Sequence, residues 1–116
     1  MAWEIELYEG SSGAKPVREF LDSLQGFTRA KVYAAMELLK GYGVGLGFPH
    51  VKKLAGTQLW ELRTAGESKV RVIYVARYGK KFLLLHGFVK KEQKTPRREI
   101  AVAEERLREY FSRLTV

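Results

Sequence analysis

The chain has 116 residues, 46% of them hydrophobic and 29% charged, and its 21 Lys/Arg outnumber 13 Asp/Glu for a formal net charge of +8. That length and balance suit a single folded domain, residues 1–116, and exclude a disordered chain. With no cysteine there can be no disulfide, thiol nucleophile or cysteine-based zinc site.

The start, Met1-Ala2-Trp3-Glu4-Ile5-Glu6-Leu7, has neither the basic region nor the apolar run of a signal peptide. Trp3, Ile5 and Leu7 instead alternate with polar residues, the period of a half-buried strand. Gly10-Ser11-Ser12-Gly13 ends it. Pro16 then opens a short helix with Val17, Phe20, Leu21 and Leu24 on one stripe, and Gly26 breaks that helix. Thr28 is the expected N-cap of a second helix, in which Val32, Ala35, Met36 and Leu39 recur at helical spacing. Gly41, Gly43, Gly45, Gly47 and Pro49 stop it. These glycines lack the Lys-Ser/Thr ending of a phosphate loop and follow a helix, so they read as a flexible connector.

After Lys52-Lys53-Leu54-Ala55-Gly56 come three strand-like runs, residues 59–64, 70–78 and 81–89. In the second, Val70, Val72, Tyr74 and Ala76 alternate against Arg71, Ile73, Val75 and Arg77. The links Ala65-Gly66-Glu67-Ser68 and Tyr78-Gly79-Lys80 have hairpin length, which makes the three runs antiparallel neighbours. The longest apolar stretch, residues 82–89, is too short to cross a bilayer as a helix, so a soluble cytoplasmic protein without a membrane partner is expected. Thr95-Pro96 starts a last helix with Ile100, Ala103, Leu107, Tyr110, Phe111 and Leu114 on one stripe. The order β-α-α-β-β-β-α is that of an α+β domain with helices packed on one face of an antiparallel sheet.

Charge is distributed unevenly along this order. Residues 51–98 hold thirteen Lys/Arg against three Asp/Glu, whereas the segments before and after are each slightly acidic. Such asymmetry makes a directional field whose natural partner is a polyanion, nucleic acid first. His50 and His86 lie far apart with no carboxylate at ligand spacing, and the serines lack the context of a nucleophile elbow. No metal or other cofactor is implied. The carboxylates of the first strand and last helix read as solvated faces. Lys52, Lys53, Arg63, Arg71, Lys90, Lys91 and Lys94, by contrast, sit on or beside neighbouring strands, where they can converge on a phosphate-binding groove. A groove of that kind can cleave RNA by stabilising the charge that develops when a 2′-OH attacks its own phosphate. A lysine crowded by other cations could act as the general base.

The runs Glu6-Leu7-Tyr8-Glu9-Gly10, Pro16-Val17-Arg18-Glu19-Phe20-Leu21, Val51-Lys52-Lys53-Leu54-Ala55-Gly56, Leu59-Trp60-Glu61-Leu62-Arg63, Val70-Arg71-Val72-Ile73-Tyr74 and His86-Gly87-Phe88-Val89-Lys90-Lys91 through Thr95-Pro96 together resemble the RelE/ParE toxin superfamily. The HigB-like branch, often described as phage-derived, is the most similar. The resemblance implies the toxin of a type II toxin–antitoxin pair, with an antitoxin partner carrying a helix-turn-helix domain, in a homodimer or a toxin–antitoxin hetero-oligomer. It further implies metal-independent cleavage of mRNA on the ribosome, or, in the ParE branch, poisoning of DNA gyrase; a basic nucleic-acid-binding module without catalysis is the third alternative. Position by position, Arg63, Arg71 and Lys91 match catalytic cations of the nuclease members, and Lys53 matches an RNA contact. Lys52, Lys94, Arg97 and Arg98 join it as RNA-binding residues. Glu61 stands where RelE has a lysine and Arg97 near its tyrosine, which leaves His86 or Lys90 as the general base.

Overall fold

The computed structural model describes residues 2–64 and 69–114. Its order is β1 (Glu4–Leu7), α1 (Pro16–Ser23), α2 (Gly26–Tyr42), a 3₁₀ turn (Gly43–Gly45), β2 (Val51–Lys53), β3 (Trp60–Arg63), β4 (Val70–Arg77), β5 (Lys81–Val89) and α3 (Arg97–Leu114). The α+β class is as expected. The five strands lie in the order β1-β5-β4-β3-β2, antiparallel except for β1, which runs parallel to β5. Strand β2 was not legible in the sequence: three residues, two of them lysine, become a strand only by pairing Val51 with Leu62 and Lys53 with Trp60. The predicted hairpin link Ala65-Gly66-Glu67-Ser68 lies outside the described residues.

Pro16 does occupy the first turn of α1, and Val17 and Leu21 are fully buried. The helix boundary beyond it differs from expectation. Gly26 opens α2 instead of breaking α1, and the N-cap position is Gln25, three residues before Thr28. The connector after α2 is also less free than its glycines imply. Gly43 has φ +61 and its N–H closes onto the Leu39 carbonyl, while a Cβ there would lie 2.3 Å from the Trp3 indole nitrogen.

The helices occupy both faces of the sheet, not one. On the first face Ile5, Leu62, Val72, Tyr74, Phe82 and Leu84 share a register, Trp3 stacks on Phe82, and Phe20 of α1 covers Gly87. Burying a large apolar side chain of this kind contributes about 1.5–3 kcal/mol, so this layer supplies much of the folding energy. On the second face α3 runs diagonally. Thr95, just ahead of it, meets Glu61, its N-terminal end meets His86, and its C-terminal end meets Glu6, Glu9 and Arg77. Ala103 and Leu107 are its buried residues, while Phe111 and Leu114 of the predicted stripe remain largely exposed. Among the described residues no helix is long and apolar enough to cross a membrane.

One irregularity decides which side chains share a face. Ile73 pairs with His86 but Tyr74 pairs with Leu84, so Leu85 is an extra residue in β5. A bulge of this type shifts the alternation by one position. Residues before it, Phe82 and Leu84, face the α1–α2 layer; after it, His86, Phe88 and then Lys90 face the α3 side.

Candidate functional site

The second face, beyond the end of α3, carries the charge. Register places Lys52 beside Glu61 and Arg63 beside Arg71, all with side chains on this face. Glu61 is fully buried, the one buried charged residue among those described. One of its oxygens lies 3.6 Å from Arg63 Nε and 3.6 Å from Arg71 Nε, and the other accepts a hydrogen bond from the Thr95 hydroxyl. Distances of 3.6 Å exceed a hydrogen bond, so the two guanidiniums meet the carboxylate as ion pairs. Burial lowers the Arg71 pKa from its ordinary value, with Glu61 opposing and Arg63 adding to the effect.

Lys90 completes the group. Burial lowers the pKa of its ammonium, and Arg71, Arg63 and Lys52 push it further down while Glu61 pulls it back. Four cations from β2, β3, β4 and the end of β5 thus surround one carboxylate. Beside them an open groove of about 300 Å³ is lined by Lys69, Arg71, Lys90, Lys91, Glu92 and Gln93. Cations held close together at a partly dehydrated surface favour a ligand with several anionic oxygens, and arginine can grip such oxygens in pairs.

His86 is placed differently from the cations. Its Nε2 lies 2.7 Å from Glu99 Oε1 and its Nδ1 3.2 Å from Arg106, which also donates to the Leu85 carbonyl at 2.8 Å. A carboxylate only accepts and a guanidinium only donates, so the proton belongs on Nε2 and both ring nitrogens are engaged. Phe88 stacks on the imidazole and fixes its plane. The row Glu61–Ile73–His86 sets the imidazole two strands, or roughly 10 Å, from the buried carboxylate. His86 therefore fastens β5 to α3 at the border of the cationic patch.

Of the remaining predicted residues, Lys91 lines the groove and Lys94 is exposed on the loop that follows. Arg97 is exposed at the start of α3, and Arg98 spends its charge on Glu92 and Glu99 at 3.7 and 3.9 Å. Lys53 is not brought to the patch: it alternates with Lys52 onto the opposite face and its ammonium donates to the Thr57 carbonyl. The carboxylates of β1 and α3 are solvated only in part: Glu4 and Glu105 are exposed, but three others are engaged. Glu6 accepts from Tyr110, Glu109 from Tyr8 and Arg113, and Glu99 holds His86. Sequence reasoning missed Thr95, Glu99 and Arg106 as partners of the site. Only for Glu99 was there a signal, its place in the first turn of the helix that begins beside β5.

The sequence model of the family described as "phage derived protein Gp49-like (DUF891)" matches residues 19–108. The chain belongs to this phage-derived, Gp49-like family. The family is associated with RelE-like, toxin-like addiction modules. The matched span includes every residue of the cationic patch, its Glu61 centre and the His86–Glu99–Arg106 link. No curated protein matches the chain significantly.

Proposed function

We propose that this Gp49-like protein is the toxin of a type II toxin–antitoxin pair, a HigB-like mRNA interferase that cleaves ribosome-bound mRNA without a metal. The observation that carries the reading is the convergence of Lys52, Arg63, Arg71 and Lys90 on the part of the sheet face that α3 leaves open. A surface for gripping a protein such as gyrase has no need of cations gathered from four strands around one carboxylate; a phosphodiester does.

In this reading Arg63 and Arg71 hold the non-bridging oxygens of the scissile phosphate. The 2′-oxygen forms a bond to phosphorus as the bond to the 5′-oxygen breaks, leaving a 2′,3′-cyclic phosphate. Lys90 in its amine form takes the proton of the 2′-OH, and water returns a proton to the departing 5′-oxygen. Its crowded, partly dehydrated position raises the fraction of amine available near neutral pH. Lys91, in the adjoining groove, is placed to neutralise the neighbouring phosphate. The cognate antitoxin is expected to be acidic where it binds this patch.

The test is to add the purified protein to translating ribosomes and map mRNA ends by primer extension. Cuts inside the ribosomal A site are expected. Lys90→Arg keeps the charge but cannot release its proton, so RNA binding should persist while the cleavage rate falls about a hundredfold or more. Intact mRNA with loss of gyrase supercoiling activity would replace this reading by the gyrase one. RNA binding without any cleavage would leave a non-catalytic module.

A further inference from the structure

A large aromatic side chain lies in the open beside the cationic patch, outside the hydrophobic core. Phe48 is 77% exposed. The backbone that carries it is nonetheless held. The turn that carries it is closed by hydrogen bonds from His50 N and Val51 N to the Gly47 carbonyl at 3.0 and 3.3 Å, and Arg63 N donates to the His50 carbonyl at 2.8 Å. The Arg63 guanidinium lies over one face of the ring, 5.8 Å from its centroid, while its Nε is 3.6 Å from Glu61. Arg63 thus spans the distance from the aromatic ring to the centre of the phosphate-binding patch.

We infer that Phe48 is a stacking platform for a nucleobase of the bound single-stranded RNA, a subsite that rests on the phosphate-binding reading of the patch. A nucleotide whose phosphate is held by Arg63 and Arg71 has its base within reach of the ring, on the face that Arg63 leaves open. Every base offers a π-face, so such a platform places the strand without reading a particular letter through hydrogen bonds. The guanidinium on the other side makes the ring a middle layer between cation and base. The backbone bonds around Gly47 and His50 hold the turn before the strand arrives, and the Arg63 guanidinium lies against the ring, so less ordering remains to be done on binding.

The experiment measures the affinity of the full chain for a short fluorescent single-stranded RNA at low salt, together with a set of the same strand in which one position at a time is abasic. Phe48→Ala should weaken binding to the intact strand on the order of tenfold, and Phe48→Trp should retain it. On the strand lacking the stacked base, wild type and Phe48→Ala should bind alike. Tyr78→Ala serves as the control: that residue is 95% exposed at the far end of β4, roughly 23 Å from Arg71. Equal binding of the intact strand by wild type and Phe48→Ala would overturn the stacking subsite alone. So would a loss that persists undiminished on every abasic strand, which would assign Phe48 the role of steadying Arg63. Absence of salt-sensitive RNA binding by the wild type would overturn the phosphate-binding reading and the subsite with it.

Discussion

Glu61 sits at the centre of the candidate site and is the residue least suited to touching an anion. Its carboxylate is fully buried between Arg63 and Arg71, whose side chains keep only 21% and 13% of their exposure. Two guanidiniums this close repel each other, and the carboxylate offsets that repulsion, while Arg71 Nη1 also donates to the Val70 carbonyl at 2.9 Å. Removing the carboxylate leaves two partly buried like charges unopposed, which costs about 3 kcal/mol by the general penalty for breaking a buried ion pair. Glu61→Gln should therefore lower the thermal midpoint, and sulfate or phosphate should recover more stability in the variant than in the wild type, because a bound anion takes over the missing charge. A midpoint unchanged by the substitution, with no extra response to sulfate, would show that the carboxylate does not hold the arginines. Net attraction for polyanions should rise in the same variant.

At the scale of elements the bulge at Leu85 organises the site. It turns His86 toward Glu99 and Arg106 and brings Lys90 onto the face of Arg71, while Gly87 is left facing α1. Phe20 fills the space a side chain would take at Gly87: a Cβ there would lie 2.3 Å from the ring. Gly87→Ala should then cost about 1–3 kcal/mol through overpacking, read as a lower urea midpoint with an unchanged slope. Pairing it with Phe20→Leu should restore part of the loss. Full additivity of the two substitutions would mean that α1 does not press on β5 at this point.

The whole molecule divides into a helix-covered apolar face and a second face split between α3 and the cationic patch. The α3 half is held by tyrosines that stay protonated. Burial, then the bond to Glu109, raises the Tyr8 pKa; burial, then the bond to Glu6, raises that of Tyr110. On the opposite face burial raises Tyr74 most strongly. A raised phenol pKa contributes stability that is fully present below the ordinary value of 10 and is lost as pH climbs from there through the folded-state value. The urea midpoint should fall between pH 10 and 12, and the fall should be shallower in Tyr74→Phe. An identical pH slope in the two proteins would remove Tyr74 as a cause.

Periodicity alone placed most of the elements, though not the start of α2, because the apolar stripes at 17–24, 32–39 and 100–114 and the alternation along 70–77 are local properties of the chain. The concentration of cations between residues 51 and 98 was equally legible, and so was the toxin-like resemblance later matched by the Gp49-like family. Strand β2 was not, since three residues carry no period and become a strand only through β3. Strict alternation along 81–89 would have put His86 and Lys90 under α1 with Phe82 and Leu84; one extra residue, unpaired in the ladder, sends them to the other face. The burial of Glu61 and the turning away of Lys53 follow in the same way from strand register. Residue types and their spacing are written in the chain, but which face a side chain occupies depends on the partner strand, and that is decided only when the sheet closes.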